Sequence, residues 1–240
     1  VLIWTDAALY SLQYVGAPVV WGATLVGENI SIASKNAVAY ANGVAYWMGT
    51  DKFYKYDGRT ETLPCNLRRY VFNDFNSDQT DQVFAGTNES FNEIWWFYCS
   101  ASSTVPDRYI IYNYSENVWY FGNLTRTAWV DSGARDHPLA ATTSSNLVEH
   151  EQGLDDNVTG TPAAITAFIT SADFDLDDGH RFFLVDRVLP DVTFDGSTVD
   201  NPSVTLTLDP LESSGSGIKS TPSEGGNSDA TVTRSATTPV

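Results

Sequence analysis

Three short constellations in this sequence could do chemistry. Glu149-His150-Glu151 joins two carboxylates to an imidazole, donor types that suit a divalent metal. On a strand, successive side chains alternate faces, so His150 would point away from both glutamates. Chelation by all three would need an irregular backbone, and the ordinary reading is structural or solvated side chains. Asp173, Asp175, Asp177 and Asp178, followed by Gly179, resemble a calcium loop. An EF-hand needs Gly at loop position six and Glu at twelve. Counted from Asp173, those positions hold Asp178 and Leu184, so the pattern fails twice. A charged hairpin tip is expected, with Asp173, Asp175 and Asp177 as weak candidate cation ligands. Arg68-Arg69 is the only adjacent basic pair in an acidic chain. It is expected to bridge to neighbouring acids or to serve as a subunit contact.

Other catalytic signals do not emerge. His137, His150 and His180 lie in unrelated contexts, and the sequence holds no G-x-S-x-G, no H-E-x-x-H and no phosphate loop. A glycosidase needs only two carboxylates, so it stays open, but no pair among 30 acidic residues stands out. Cys65 and Cys99 cannot build a disulfide framework or a four-cysteine zinc site, and read as free thilols of a reducing compartment. Trp47, Trp95, Trp96 and Trp119 could stack on sugars, but filling a β core is the more ordinary use. No catalytic residue and no cofactor are expected, and the chain is not expected to be an enzyme.

The elements that must carry these residues read as all-β. Helical periodicity is nearly absent, and short aromatic or β-branched runs are separated by Gly, Asp, Asn and Ser. Expected strands are 1–5, 9–15, 37–41, 44–48, 53–56, 93–99, 109–114, 118–122, 140–143 and 147–150. Asn42-Gly43 between two runs predicts a two-residue hairpin, because a type I′ turn needs positive φ at both positions. Asn76 followed by Gln79 has the spacing of a capping box and predicts a helix over Ser77–Ala85. A shorter helix is expected over Leu67–Phe72, capped by Asn66. Trp95 and Trp96 are adjacent on a strand, so one is expected in the core and the other outside.

A weak repeat runs through the first part. Its anchors Leu9, Phe53, Tyr109 and Leu147 lie 44, 56 and 38 residues apart, bracketing the ~40–50 residues of a four-stranded propeller blade. A sandwich of unrelated hairpins would produce a similar pattern. Residues 1–152 are therefore expected to form a propeller-like body. Residues 153–240 are expected to form a small β-sandwich-like module, joined through the polar stretch 153–162. In it, long strands 164–176 and 182–194 would meet at an Asp-Gly turn. Residues 204–208 read as another strand, 213–229 as a Ser/Gly-rich loop, and 230–237 as an edge strand. The chain starts at Val1 without Met and already reads as strand, which points to residues upstream. The second module reads as stopping before its last strand.

Composition bounds the function. The chain has 240 residues with 13 Lys and Arg against 30 Asp and Glu, a net charge of −17. Binding to nucleic acid by phosphate neutralisation needs a basic footprint, and so does binding to an anionic membrane. No apolar run approaches the ~20 residues of a membrane span, and no signal peptide is visible. With 42% hydrophobic residues, the chain can bury a core without staples.

An ordered set of segments carries a family resemblance. Val44–Gly49, Phe53–Gly58, Leu63-Pro64-Cys65, Arg69–Asp74, Phe91–Tyr98, Tyr112–Tyr120 and Arg126–Trp129 follow one another in this order. Together they resemble tail hub or nozzle virion proteins of tailed bacteriophages, akin to the packaged-DNA stabilisation proteins of short-tailed phages. The likeness covers most of residues 1–210, and its specificity lies in the ordered set. Members are typically longer at both ends. The resemblance implies a propeller-like body, a sandwich-like region and a ring of identical subunits, expected as a hexamer, at the distal end of the tail. It implies neighbouring tail adaptor and fibre proteins, and a central channel through which DNA passes without specific binding or membrane insertion by this chain. Localisation would be the virion tail, after synthesis in the bacterial cytoplasm. Acidic lumen walls would then repel phosphates and let DNA slide. A propeller-type carbohydrate- or receptor-binding tail component is the alternative, and a glycoside hydrolase the third reading.

Overall fold

The computed structural model describes residues 1–133, 135–153, 155–165, 167–171, 174, 185–189, 191–195, 202–209 and 230–235. It divides into two compact units, Val1–Thr166 and Ala167–Val240. The chain is all-β, built from antiparallel sheets with short helical segments between them.

The first unit is a succession of antiparallel meanders. The first joins β1 (Leu2–Trp4), β2 (Ala8–Gly16) and β3 (Val20–Glu28). The second has four strands in chain order: β4 (Val38–Ala41), β5 (Val44–Met48), β6 (Phe53–Tyr56) and β7 (Thr60–Leu63). The third repeats that plan with β8 (Phe84–Asn88), β9 (Glu93–Tyr98), β10 (Arg108–Asn113) and β11 (Val118–Asn123). The fourth has β12 (Ala128–Val130), β13 (Leu139–Ala141) and β14 (Leu147–Glu149). A two-stranded ladder follows in the stretch expected as a linker, pairing β15 (Asp155–Asp156) with β16 (Ala163–Ala164).

These meanders stack in chain order, and three apolar clusters lie between them. Leu9 and Ile30 pack with Trp47 and Tyr54 between the first and second sheets. Met48, Phe53 and Leu63 meet Ile94, Trp96, Tyr98 and Ile110 between the second and third. Trp95, Phe97 and Ile111 meet Trp129 between the third and fourth. The middle sheets are thus covered on both faces. Trp95 is 7% exposed and Trp96 0%. This overturns the expectation that only one of them is buried: neighbours do face opposite ways, but each face of β9 has a sheet against it.

Indole donors join these layers. Trp96 Nε1 donates to the Ala37 carbonyl at 3.0 Å and Trp119 Nε1 to Pro64 at 2.9 Å, both tying the third sheet to segments flanking the second. Trp129 Nε1 donates to Thr87 O at 2.8 Å, tying the fourth sheet to β8. Trp47 Nε1 donates to Ser31 O at 3.1 Å. Each bond satisfies a polar atom that burial would otherwise strand. Gly86 lets the Trp129 ring lie on the backbone of β8, where any Cβ would overlap it.

The repeat anchors fall on β2, β6, β10 and β14. In the last three meanders that is the third strand. In the first meander, Trp4 of β1 meets Trp47 of β5, and Thr60 of β7 hydrogen-bonds the Val26 carbonyl of β3. So β1, β2 and β3 stand over β5, β6 and β7, and β2 occupies the equivalent place. The 56-residue interval contains an insertion between β7 and β8 that holds the helical segments Arg68–Asn73 and Ser77–Gln82.

Local expectations fare unevenly. Asn42 and Gly43 have φ of 49° and 81°, as the hairpin required. Helix α1 spans Arg68–Asn73, but Leu67 rather than Asn66 stands at its cap, without a side-chain bond. Asn76 does cap, accepting from the Asp78 amide at 3.0 Å. What it caps is a 3-10 segment, Ser77–Gln82, kinked at Gln79. The helix expected to reach Ala85 stops there because Phe84–Asn88 pairs with β9.

Among the described residues, the second unit holds one hairpin, β17 (Ser203–Leu208) with β18 (Ala230–Ser235). Of the expected long strands 164–176 and 182–194, Ala164 ends β16, and 167–171, 185–189 and 191–194 are not strand. Ile169 is fully exposed there, and a strand needs a paired neighbour to satisfy its backbone. Their expected turn and the Ser/Gly-rich loop lie outside the described residues.

If both faces of β9 are core, Trp95→Ala and Trp96→Ala should each cost about 3–5 kcal/mol. Trp21→Ala, on an exposed side chain, should cost below ~0.5 kcal/mol. Urea unfolding followed by circular dichroism measures all three.

Candidate functional site

A group of buried and half-buried polar side chains lies where the third and fourth sheets meet, with the exposed Glu151 at its edge. Asn88 ends β8 and is wholly buried. Its Nδ2 donates to Glu93 at 3.4 Å and to Glu151 at 3.3 Å, so two carboxylates share one amide. Trp95 Nε1 donates to the same Glu93 oxygen at 2.9 Å. Glu93 and Trp95 are two apart on β9 and therefore share a face. Burial pushes the Glu93 carboxyl upward, against the pull of the Trp95 and Asn88 donors, and the negative Glu151 adds to the rise. Asn88 Oδ1 is buried with no hydrogen-bond partner among the described residues.

Beside it lies a buried cation. Arg126 is almost wholly enclosed. Its Nε donates to His150 Nε2 at 2.9 Å and its Nη1 to the Thr125 carbonyl at 2.9 Å. An accepting Nε2 leaves the imidazole neutral, with its proton on Nδ1. The ring lies against Trp129, with centroids 4.7 Å apart. Burial, then the Arg126 charge, pushes His150 down to about 4, against a smaller opposing pull from Asp156. Burial likewise lowers Arg126.

The Glu149-His150-Glu151 run is resolved by this geometry. Strand β14 ends at Glu149, which faces Arg135 at 3.9 Å. Glu151 adopts φ of 58°, so the irregular backbone does occur. It sends Glu151 to Asn88 and leaves His150 on Arg126, so the three side chains go to three different partners. No cluster of three or more His, Cys, Asp or Glu able to hold a metal occurs among the described residues.

Arg68 takes the ordinary reading, with Nε on the Asp51 carbonyl at 2.6 Å and Nη2 on its carboxylate at 3.1 Å. Arg69 is exposed on α1. Asp173, Asp175, Asp177 and His180 lie outside the described residues. Cys65 and Cys99 are free, and burial pushes both thiols up to about 11, so neither is a ready nucleophile. Trp47, Trp95 and Trp96 fill the core and Trp119 packs against it, so none is an open platform for sugars.

Sequence reasoning missed Asn88, Glu93 and Arg126. A signal existed for Glu93: it is the one acid heading an otherwise apolar strand, two residues before a tryptophan. Arg126 meets His150 from 24 residues away, and no spacing rule reaches that far.

What this arrangement does chemically is hold protons and bind two sheets together. A surface recess on the outer face of the fourth sheet is lined by other side chains. No protein-family model matches the chain, and no curated protein matches it.

Acid should loosen this seam. His150 titrates lower in the folded chain than its ordinary 6.5, so the unfolded chain binds protons first. Its contribution is complete above about pH 6.5 and falls as pH drops towards 4. Glu93, shifted upward, works with the opposite sign and lowers stability as pH rises through its raised value. Urea midpoints between pH 4 and 7 should therefore slope less in His150→Gln and more in Glu93→Gln than in the parent chain.

Proposed function

We propose that this chain is a structural protein of a tailed-phage virion, one subunit of a ring in the tail hub or nozzle through which the genome is retained and ejected. The observation that carries the reading is the stack of three- and four-stranded meanders, the two middle ones covered on both faces, in a chain of net charge −17. The first strands of successive meanders adjoin: Asn36 forms a parallel bridge to Phe84 of β8, and Ala85 N donates to Asn36 O at 2.8 Å. Trp129 of β12 in turn reaches β8. Adjoining first strands are what a propeller-like body requires.

Charge supports a conduit. Several cations are engaged within the chain: Lys55 with Glu61 at 3.1 Å, Arg108 with Asp74 at 3.1 Å and Arg68 with Asp51 at 3.1 Å. Acids outnumber them more than two to one. A surface of this kind offers phosphates little to hold, so DNA passes without specific binding. The subunits form a ring, proposed as a hexamer, between adaptor and fibre proteins of the tail. The ring acts as scaffold and channel wall, without cofactor or catalysis.

The test is a reconstruction of the particle that contains this chain. Density for the β body should repeat around the tail axis, and loops nearest the axis should carry more Asp and Glu than Lys and Arg. A position off the axis, as a capsid decoration or fibre tip, would refute the reading. In solution, the chain should show no shift of duplex DNA even at ~20 mM salt, where electrostatic binding is strongest.

A further inference from the structure

Strands β2 and β3 outrun their sheet. β1 pairs with Leu9, Tyr10 and Ser11, and Val1 extends that contact to Leu12. Beyond it, Gln13 pairs with Gly22, Tyr14 with Trp21 and Gly16 with Val20, forming a two-stranded arm with no third strand among the described residues. Its side chains are apolar and open: Tyr14 is 69% exposed and Trp21 53%, and Val15, Val19 and Val20 are exposed beside them. Tyr14 and Trp21 stand opposite each other, ring centroids 5.8 Å apart, as one aromatic tip. No Asp, Glu, Lys or Arg occurs between Asp6 and Glu28.

The last meander of the stack carries a counterpart. Along β12, β13 and β14, Trp129 and Ala140 turn inward to the third sheet. Alternation sends Val130, Leu139, Ala141 and Leu147 to the other face. They line an apolar recess of about 370 Å³, whose rim carries Asp131 and Arg135, the latter 3.9 Å from Glu149. Leu147 is 70% exposed and Val130 65%.

We propose that the arm of one copy of this chain seats in the recess of the next copy. The inference rests on the ring reading and gives it its joint. Electrostatics selects the occupant. Two copies, each at −17, repel wherever acids meet, whereas an uncharged arm entering an apolar recess brings no two acids together. The two surfaces differ and lie on the first and last sheets of the stack, so the contact is head-to-tail, the kind that closes rings. Its area is modest. Two aromatics bury roughly 150–250 Å² each, and with the valines the arm covers about half of the ~800 Å² per partner of a standard interface. One contact alone should therefore be weak, and closure of the ring supplies the rest by effective concentration.

Sedimentation of the 240-residue chain tests this. The parent chain should associate with a dissociation constant in roughly the 10–100 μM range. Trp21→Ser, with the arm blunted, and Leu147→Glu, with the recess charged, should each stay monomeric. Both substitutions are on exposed side chains, and circular dichroism should show both folds intact. Mixed together, the two variants hold one intact arm and one intact recess, and should form a species that stops at a dimer. A mixture that stays monomeric while the parent associates would overturn the proposal in favour of an arm-to-arm or unrelated contact. A parent chain monomeric throughout would overturn it as well. Pelleting of the parent, but not Trp21→Ser, with phosphatidylcholine vesicles would assign the arm to a lipid surface instead. Association through another surface would remove this joint and leave the axial ring to be decided by the reconstruction.

Discussion

Everything in the first unit depends on β9 being buried on both faces. Ile94 through Tyr98 are all core, pointing alternately to the second and fourth sheets. A sheet with one wet face can end a structure; a sheet apolar on both faces must have a neighbour on each side. That demand produces the stack. Apolar burial alone is non-directional and would leave the sheets free to slide. The indoles remove that freedom, because each Nε1–H bonded to a carbonyl outside its own sheet fixes spacing and register at once. In Trp96, Trp119 and Trp129 the same large side chain thus supplies both area and direction.

The strands legible in the sequence are those whose signal is local. Val44–Met48 and Phe53–Tyr56 are compact β-branched and aromatic runs closed by turn residues, and their bounds match the reading. The strands that escaped it lack such a run. Val20–Glu28 contains two glycines, Thr60–Leu63 and Phe84–Asn88 are largely polar or small, and Ala128–Val130 has three residues. They are strands because of what lies beside them, and pairing partners are invisible to local propensity. The 3-10 segment makes the same point from the other side. Asn76 caps as its spacing required, yet the ladder to β9 claims Phe84 and Ala85 and ends the helix early.

The polar seam was half legible. Glu149-His150-Glu151 drew attention as a possible chelate, and strand alternation, on which that reading turned, reaches only Glu149, where β14 ends. What alternation could not supply was the turn at Glu151 or the partners Asn88, which ends β8 of the third meander, and Arg126, in the link between β11 and β12. Buried polar groups tie specific elements together because leaving them unpaired is costly. Here an arginine, a histidine, two glutamates and an asparagine fix how the fourth sheet meets the third, where β12 and β13 contribute few apolar residues. The seam is a joint between layers, and its proton-binding groups make that joint the part of the core most sensitive to pH.

Charge shapes the surface as burial shapes the interior. An excess of acids keeps chains apart in solution, and it also restricts where one chain can meet another. Contact is cheapest where no charge is displaced from water, and such places are scarce in this sequence. The uncharged run between Asp6 and Glu28 is one, and the outer face of the fourth sheet is another. A protein that must avoid sticking to a polyanion, yet pack against its own copies, needs both properties in separate places. In the proposed reading, acids spread over the rest of the chain serve the first need, and the aromatic arm with its apolar recess serves the second. The arm can remain exposed in the free chain because it is short, rimmed by polar Gln13 and Thr24, and small enough in area that one such contact holds two copies only weakly.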